Sequence, residues 1–117
     1  MSFALESISQ HSMIVRVGTS LSFANAHAFK QACLDQVRDG IRNFILDFSE
    51  TGILDSTGLG AIFSLHRQVA PLNGEVVFAS VLPPVQSVIQ VTGIYRVFLR
   101  YPSVEAAREA PSVRRNA

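Results

Sequence analysis

The chain has 117 residues, 48% of them hydrophobic, so it is long enough for one folded domain with its own core. Ten Lys and Arg residues against nine Asp and Glu residues give a formal net charge of +1, a balance that argues against nucleic acid as a partner. No apolar run approaches the roughly 20 residues of a membrane span, and the first residues lack the pattern of a secretory signal. A single cysteine, Cys33, excludes an internal disulfide. We therefore expect a cytoplasmic protein without membrane insertion.

The first third of the chain predicts a hairpin followed by a helix. Apolar residues at 3–8 and 13–17 flank a polar stretch, which indicates two antiparallel strands joined by a turn. Ser22 or Asn25 can then cap a helix that ends near Gly40.

The rest of the chain alternates strands with helices, which implies crossover connections and an α/β layer structure. The run at 43–48 is apolar without alternation, as in a strand covered on both faces. The further predicted elements are a helix at 62–69, a strand at 75–80, a helix from Pro83 to Gly93, a short strand at 97–100, and a last helix from a Ser103 cap to Ala110. We therefore predict one domain over residues 1–110 and a flexible tail at 111–117.

The residues with distinctive chemistry lie at the start of the helix that follows the apolar strand. Asp55, Ser56 and Thr57 precede apolar residues of helical period, which is a signal for a helix N-terminus. Gly58 and Gly60 each weaken a helix by roughly 1 kcal/mol relative to alanine, so two in one turn predict a close approach to the backbone. We therefore predict a docking surface over this turn, with the two hydroxyl groups as the chemistry it offers.

Each polar residue of this region also has a purely structural interpretation. Ser56 can be an N-cap that accepts one backbone N–H. Asp55 can be the cap instead, which would leave the Ser56 hydroxyl outward and place a carboxylate at the positive end of the helix dipole. The β-branch of Thr57 restricts the approach to its hydroxyl, so this residue is expected to support the loop. Asp47 either binds loop amides at the end of its strand or orients the Ser56 loop.

No catalytic constellation is evident in the sequence. His11, His27 and His66 are scattered without metal-ligand spacing, and His66 falls on the apolar stripe of its helix, as a half-buried packing residue would. Ser56 is not part of a G-x-S-x-G elbow, and Gly58-Leu59-Gly60 lacks the lysine or third glycine of a nucleotide loop. We therefore predict a protein that is not an enzyme and has no metal or cofactor of its own.

Two segments carry a family resemblance. Leu46-Asp47-Phe48-Ser49 followed by Asp55-Ser56-Thr57-Gly58-Leu59-Gly60 resembles the signature of STAS domains, the family of bacterial anti-sigma factor antagonists. The likeness continues through residues 74–79, 83–85, 92–94 and 101–107, and it covers residues 3–110. It implies an α/β fold with a mixed, mostly parallel β-sheet, an N-terminal hairpin and about four α-helices packed against the sheet.

In antagonists that resemble this chain, the serine directly after the aspartate is the phosphoacceptor, which maps to Ser56. The resemblance implies that the unmodified protein binds an anti-sigma factor serine kinase and so releases a sigma factor to regulate transcription. The kinase would phosphorylate Ser56 and a serine phosphatase would reset it, with ATP and Mg²⁺ belonging to the kinase. A weak homodimer is compatible with this interpretation. The partner-binding residues would be Asp55, Ser56, Thr57, Gly58, Leu59 and Gly60.

The segment after Gly18 departs from the antagonist pattern. Many antagonists carry an acidic residue after this glycine, whereas residues 19–26 contain none. Residues 21–26 (LSFANA) instead resemble the STAS domains of sulfate-type anion transporters. Two other functions therefore stay open: a scaffold or accessory subunit of a membrane transport system acting in trans, and a sensor that binds a nucleotide or other small ligand at the helix start.

Overall fold

Strands and helices alternate after an opening hairpin in the computed structural model, which describes residues 3–115 and only the backbone of Arg115. The strands are β1 (Ala4–Ser7), β2 (Ser12–Arg16), β3 (Ser20–Leu21), β4 (Asn43–Asp47), β5 (Ile53–Leu54), β6 (Glu75–Ala79) and β7 (Arg100–Tyr101). The helices are α1 (Ala26–Arg38), α2 (Ser56–Val69), α3 (Pro83–Thr92), α4 (Val104–Arg108) and α5 (Pro111–Arg115). Short 3₁₀ turns follow α2 and α3 at Ala70–Leu72 and Ile94–Arg96.

The main sheet has the strand order β1-β2-β4-β6-β7. β1 and β2 form the predicted antiparallel hairpin, and β2, β4, β6 and β7 run parallel to one another. Parallel neighbours require crossover connections, which α1, α2 and α3 provide. The predicted fold class, a mixed and mostly parallel sheet with helices packed against it, is confirmed.

The central strand β4 explains why its sequence is apolar without alternation. Phe44 and Leu46 point into the larger core, which contains buried residues of α1, α2 and α3. Ile45 points to the opposite face, where Ala107 and Val113 of α4 and α5 cover it. Helices therefore lie on both faces of the sheet, and β4 is buried on both sides as predicted.

The end of the chain differs from its predicted structure in two places. The predicted strand at 97–100 forms only at Arg100–Tyr101, because the backbone N–H groups of Val97 and Phe98 bind back to the Ile94 carbonyl and so extend the turn after α3. The predicted flexible tail contains the helix Pro111–Arg115, with Val113 buried against Ile14 and its neighbours on the sheet. The five-residue α4 is too short to cover this face alone. Residues 116 and 117 lie outside the described residues.

Other local predictions are confirmed. α3 begins at Pro83 and ends before Gly93, which has a φ of 74°. Ser103 caps α4 by accepting the Ala106 N–H at 3.0 Å.

Within residues 3–115, no helix has the length and hydrophobicity needed to cross a membrane.

Candidate functional site

A small parallel sheet, which was not predicted from the sequence, lies next to the start of α2 and is hydrogen-bonded to it. Ser20 and Leu21 of β3 lie opposite Ile53 and Leu54 of β5. A strand of two residues is too short to show an alternation of apolar and polar residues, so the sequence pattern could not predict this pairing. The backbone N–H of Asp55 donates to the Leu21 carbonyl at 3.3 Å, which ties the first turn of α2 to β3.

Asp55 is the N-cap of α2. One carboxylate oxygen accepts the Gly58 N–H at 2.8 Å, and the other accepts the Phe23 N–H at 3.0 Å. The Gly58 hydrogen bond is the main reason that the pKa of Asp55 lies below its ordinary value; desolvation opposes it, and the Phe23 N–H adds to it. Of the two capping alternatives, the structure therefore selects Asp55 and leaves Ser56 out of the cap.

This cap predicts a pH-dependent loss of stability in Asp55→Ala. The folded state lowers the pKa of Asp55, so its stabilising contribution is present above the unfolded carboxyl pKa and is lost as the pH falls through the folded value. We expect Asp55→Ala to melt at a lower temperature than wild type at neutral pH, with the difference shrinking in acid. Thermal melts over a pH series measure this effect. Glu50→Ala removes an exposed carboxylate as the control, and a pH-independent difference would contradict the prediction.

The two hydroxyl groups of the site face solvent. Ser56 is the first residue of α2 and is exposed, and Thr57 is exposed beside it. Thr57 lines a groove between α1 and α2, whereas Ser56 lies outside that groove. In the part of the chain that the structure describes, neither side chain forms a hydrogen bond. The Ser56 oxygen is therefore available to an incoming group.

The two glycines of the first turn differ in their surroundings. A Cβ on Gly58 would lie 2.3 Å from the Leu21 carbonyl oxygen, so the close approach predicted for this turn is made at Gly58 by β3 of the same chain. A Cβ on Gly60 would have no described atom within 4 Å beyond its chain neighbours and the adjacent α2 backbone, and Gly60 is exposed within the helix without a positive φ. No contact within the described protein therefore requires a glycine at position 60.

Two exposed apolar residues belong to the segments next to the start of α2 and were not among the predicted site residues. Phe23 is 80% exposed, although its backbone N–H binds the Asp55 cap. Ile53 in β5 is 59% exposed and lies three residues before Ser56. Asn25 positions the Phe23 loop, because its side chain accepts the Ser22 N–H and donates to the Ser20 carbonyl, each at 2.9 Å. In the sequence, the isolated aromatic residue of the segment LSFANA is the one feature that could have indicated this exposed apolar surface.

Other polar residues singled out in the sequence have local roles. The Asp47 carboxylate accepts the Ser49 N–H at 2.9 Å, so Asp47 binds a loop amide at the end of its strand, the first of its two predicted roles. His66 is half-buried and packs edge-on against Phe98, with ring centroids 5.4 Å apart, as predicted. Burial raises the pKa of the Cys33 thiol to about 12 and keeps it protonated at neutral pH. Across the described residues, no three His, Cys, Asp or Glu side chains are grouped so that they could hold a metal ion.

Comparison with known proteins identifies the family. The family profile of the STAS domain matches residues 3–107, so the chain belongs to the STAS domain family. It is 30% identical over 87 residues to BtrV of Bordetella bronchiseptica, a protein whose name assigns it to the anti-sigma factor antagonists. The match covers 74% of this chain and 75% of BtrV. The resemblance stated from the two sequence segments is confirmed.

Solved structures confirm the fold. The anti-sigma factor antagonist SpoIIAA in its unphosphorylated form is similar with a TM-score of 0.79 at 18% identity, over 92% of this chain and 94% of SpoIIAA. TM1081 of Thermotoga maritima is similar with a TM-score of 0.84 at 24% identity, over 92% of each chain. A sulfate transporter family protein from Wolinella succinogenes shares the fold with a TM-score of 0.73 at 14% identity, over 87% of this chain and 85% of that one. At these identities the likeness shows the fold alone.

Proposed function

We propose that this chain is a cytoplasmic, phosphorylation-switched anti-sigma factor antagonist. Unmodified, it binds an anti-sigma factor that is also a serine kinase, and this binding releases a sigma factor and regulates transcription. The observation that carries the proposal is the free, exposed hydroxyl of Ser56 at the first position of α2. Because Asp55 rather than Ser56 is the N-cap of α2, phosphorylation of Ser56 does not remove the cap.

The chemistry of the site fits a phosphoacceptor rather than a catalytic serine. In the transfer step, the Ser56 oxygen forms a bond to the γ-phosphorus of ATP as the bond to ADP breaks, and the hydroxyl proton leaves with a base. Both oxygens of Asp55 are bound to backbone N–H groups, so the kinase supplies that base along with ATP and Mg²⁺. A serine phosphatase reverses the modification by hydrolysing the phosphate ester.

The switch follows from the surroundings of Ser56. A phosphate adds a charge of about −1.5 to −2 at neutral pH, and the positive end of the helix dipole favours an anion at this position. The fold is therefore expected to tolerate the modification. Phe23, whose N–H binds the neighbouring Asp55, and Ile53, three residues before Ser56, offer exposed apolar contact area. A partner packed against them would have to desolvate the new charge, which opposes binding.

The direct test is the mass of the protein isolated from its own cells, followed by labelling in vitro. We expect a fraction of the chain to carry one added phosphate that maps to Ser56. Incubation with ATP and the serine kinase that co-purifies with the chain should label the wild type and leave Ser56→Ala unlabelled. Thr57→Ala, with the neighbouring exposed hydroxyl removed, should still be labelled. Equal labelling of wild type and Ser56→Ala would disprove the assignment.

A second candidate function is an accessory role in membrane transport, acting in trans. The observation that favours it is Phe23, which is 80% exposed within the segment that resembles the STAS domains of sulfate-type transporters. The same isolation from native cells distinguishes the two functions. Co-purification with a transporter, without phosphate on Ser56, would favour the accessory role.

A further inference from the structure

A groove of about 420 Å³ lies between α1 and α2, next to the turn that carries Ser56. Lys30 of α1 and Arg67 of α2 line its two sides, and Thr57 and Gly60 line it near the start of α2. The groove is therefore continuous with the proposed kinase-binding surface through Thr57, the residue next to Ser56.

The charge of this groove is positive and uncompensated. Its lining contains Lys30, Arg67 and His27 but no carboxylate. The ion pairs within the described residues use other arginines, including Arg38 with Asp35 farther along α1. The sequence of α2 contains no acidic residue, and among the described residues the Arg67 side chain donates only to the Ser64 hydroxyl, at 3.3 Å. No carboxylate of the described protein therefore lines the groove or forms an ion pair with Lys30 or Arg67.

The lining of the groove leaves free space at Gly60. Gly60 has space for a side chain, since no described atom beyond its chain neighbours and the adjacent α2 backbone would lie within 4 Å of a Cβ there. A helical glycine costs roughly 1 kcal/mol relative to alanine, and no internal contact accounts for that cost. An external group that approaches the α2 backbone would account for it.

We propose that an acidic segment of the kinase occupies the α1–α2 groove, with its carboxylates facing Lys30 and Arg67. This inference rests on the proposed function and names the chemistry by which the partner is recognised. Complementary charge accelerates association and selects among partners more than it adds affinity. The groove thus supplies orientation and specificity, while the apolar residues around Ser56 supply the contact area that phosphorylation disrupts.

A zero-length crosslink tests the occupant directly. Lys30 is the only lysine of the chain, so apart from the N-terminal amine it alone can form an amide with a carboxylate activated by a carbodiimide. The unphosphorylated protein is mixed with the purified kinase that labels Ser56, treated with a carbodiimide and mapped by mass spectrometry. We expect a crosslink from Lys30 to an aspartate or glutamate of the kinase. Lys30→Arg keeps the charge and should lose the crosslink.

Charge reversal measures the contribution of the groove. Lys30→Glu and Arg67→Glu should each weaken kinase binding about tenfold, mainly through slower association, and should reduce its dependence on salt. Arg100→Glu changes the net charge by the same amount on β7, at the far edge of the sheet from the hairpin, and should bind like wild type. Gly60→Leu, which fills the groove without changing its charge, should also weaken binding while keeping the folded circular-dichroism spectrum.

The outcomes separate this inference from the proposed function. If Ser56 is labelled normally but Lys30→Glu and Arg67→Glu bind as well as Arg100→Glu, the acidic occupant is disproved and the switch survives. A Lys30 crosslink to a second copy of this chain instead of to the kinase would also disprove the acidic segment of the kinase as the occupant. If no kinase labels Ser56, the proposed function fails and the occupant fails with it.

Discussion

Replacing Ser56 with aspartate is expected to preserve the fold and to weaken kinase binding at least tenfold, which corresponds to about 1.4 kcal/mol. The hydroxyl has no hydrogen-bond partner among the described residues, so its loss leaves no buried group unpaired. The new carboxylate lies in the first turn of α2, where a negative charge is favoured by roughly 0.3–1 kcal/mol. The same charge opposes a partner packed on Phe23 and Ile53. Calorimetric titration measures the affinity, and a thermal melt checks the fold.

Ser56→Asn is the matched control for this experiment. Asparagine has nearly the size of aspartate but no charge, so it separates steric obstruction from electrostatic repulsion. We expect it to bind more tightly than Ser56→Asp. Equal losses in the two variants would show that size alone blocks the partner. A melting temperature many degrees below wild type in Ser56→Asp would show that Ser56 acts through stability instead.

The second large effect concerns the fold itself. Gly58→Ala should destabilise the protein by about 1–3 kcal/mol or more, because the added methyl must displace backbone rather than a flexible side chain. That methyl would lie 2.3 Å from the Leu21 carbonyl oxygen. Relief of the clash would require β3 to move away from α2, and the Asp55–Leu21 hydrogen bond would be disturbed with it. Urea denaturation compares the free energies of unfolding.

Gly60→Ala is the internal control, two residues along the same helix. It has open space and helical dihedrals, so it should stabilise the protein by up to ~1 kcal/mol through helix propensity. We therefore expect the same glycine-to-alanine substitution to lower the free energy of unfolding at position 58 and to raise it at position 60. Stabilisation by Gly58→Ala would show that β3 and α2 are not packed as described.

Local sequence signals were sufficient to predict the layer architecture and the position of the candidate site. The apolar run of β4, the alternation of strands and helices, and the proline and glycine at the ends of α3 are local signals, and each predicted its element correctly. The STAS signature likewise located the helix start that carries Asp55 and Ser56. These features could be recognised because residue periodicity and capping act over a few neighbouring positions.

The arrangement of residues around that helix start depends on tertiary contacts, which local patterns do not predict. Asp55, not Ser56, accepts the Gly58 N–H and is therefore the cap. The Leu21 backbone lies close to Gly58 but not to Gly60, so only Gly58 is required to lack a side chain. The β3–β5 pairing, the exposed Phe23 and the positive groove join segments that lie about 30 or more residues apart in the chain. Contacts of this kind leave no periodic signal, because each depends on where distant backbone segments meet once the core has packed.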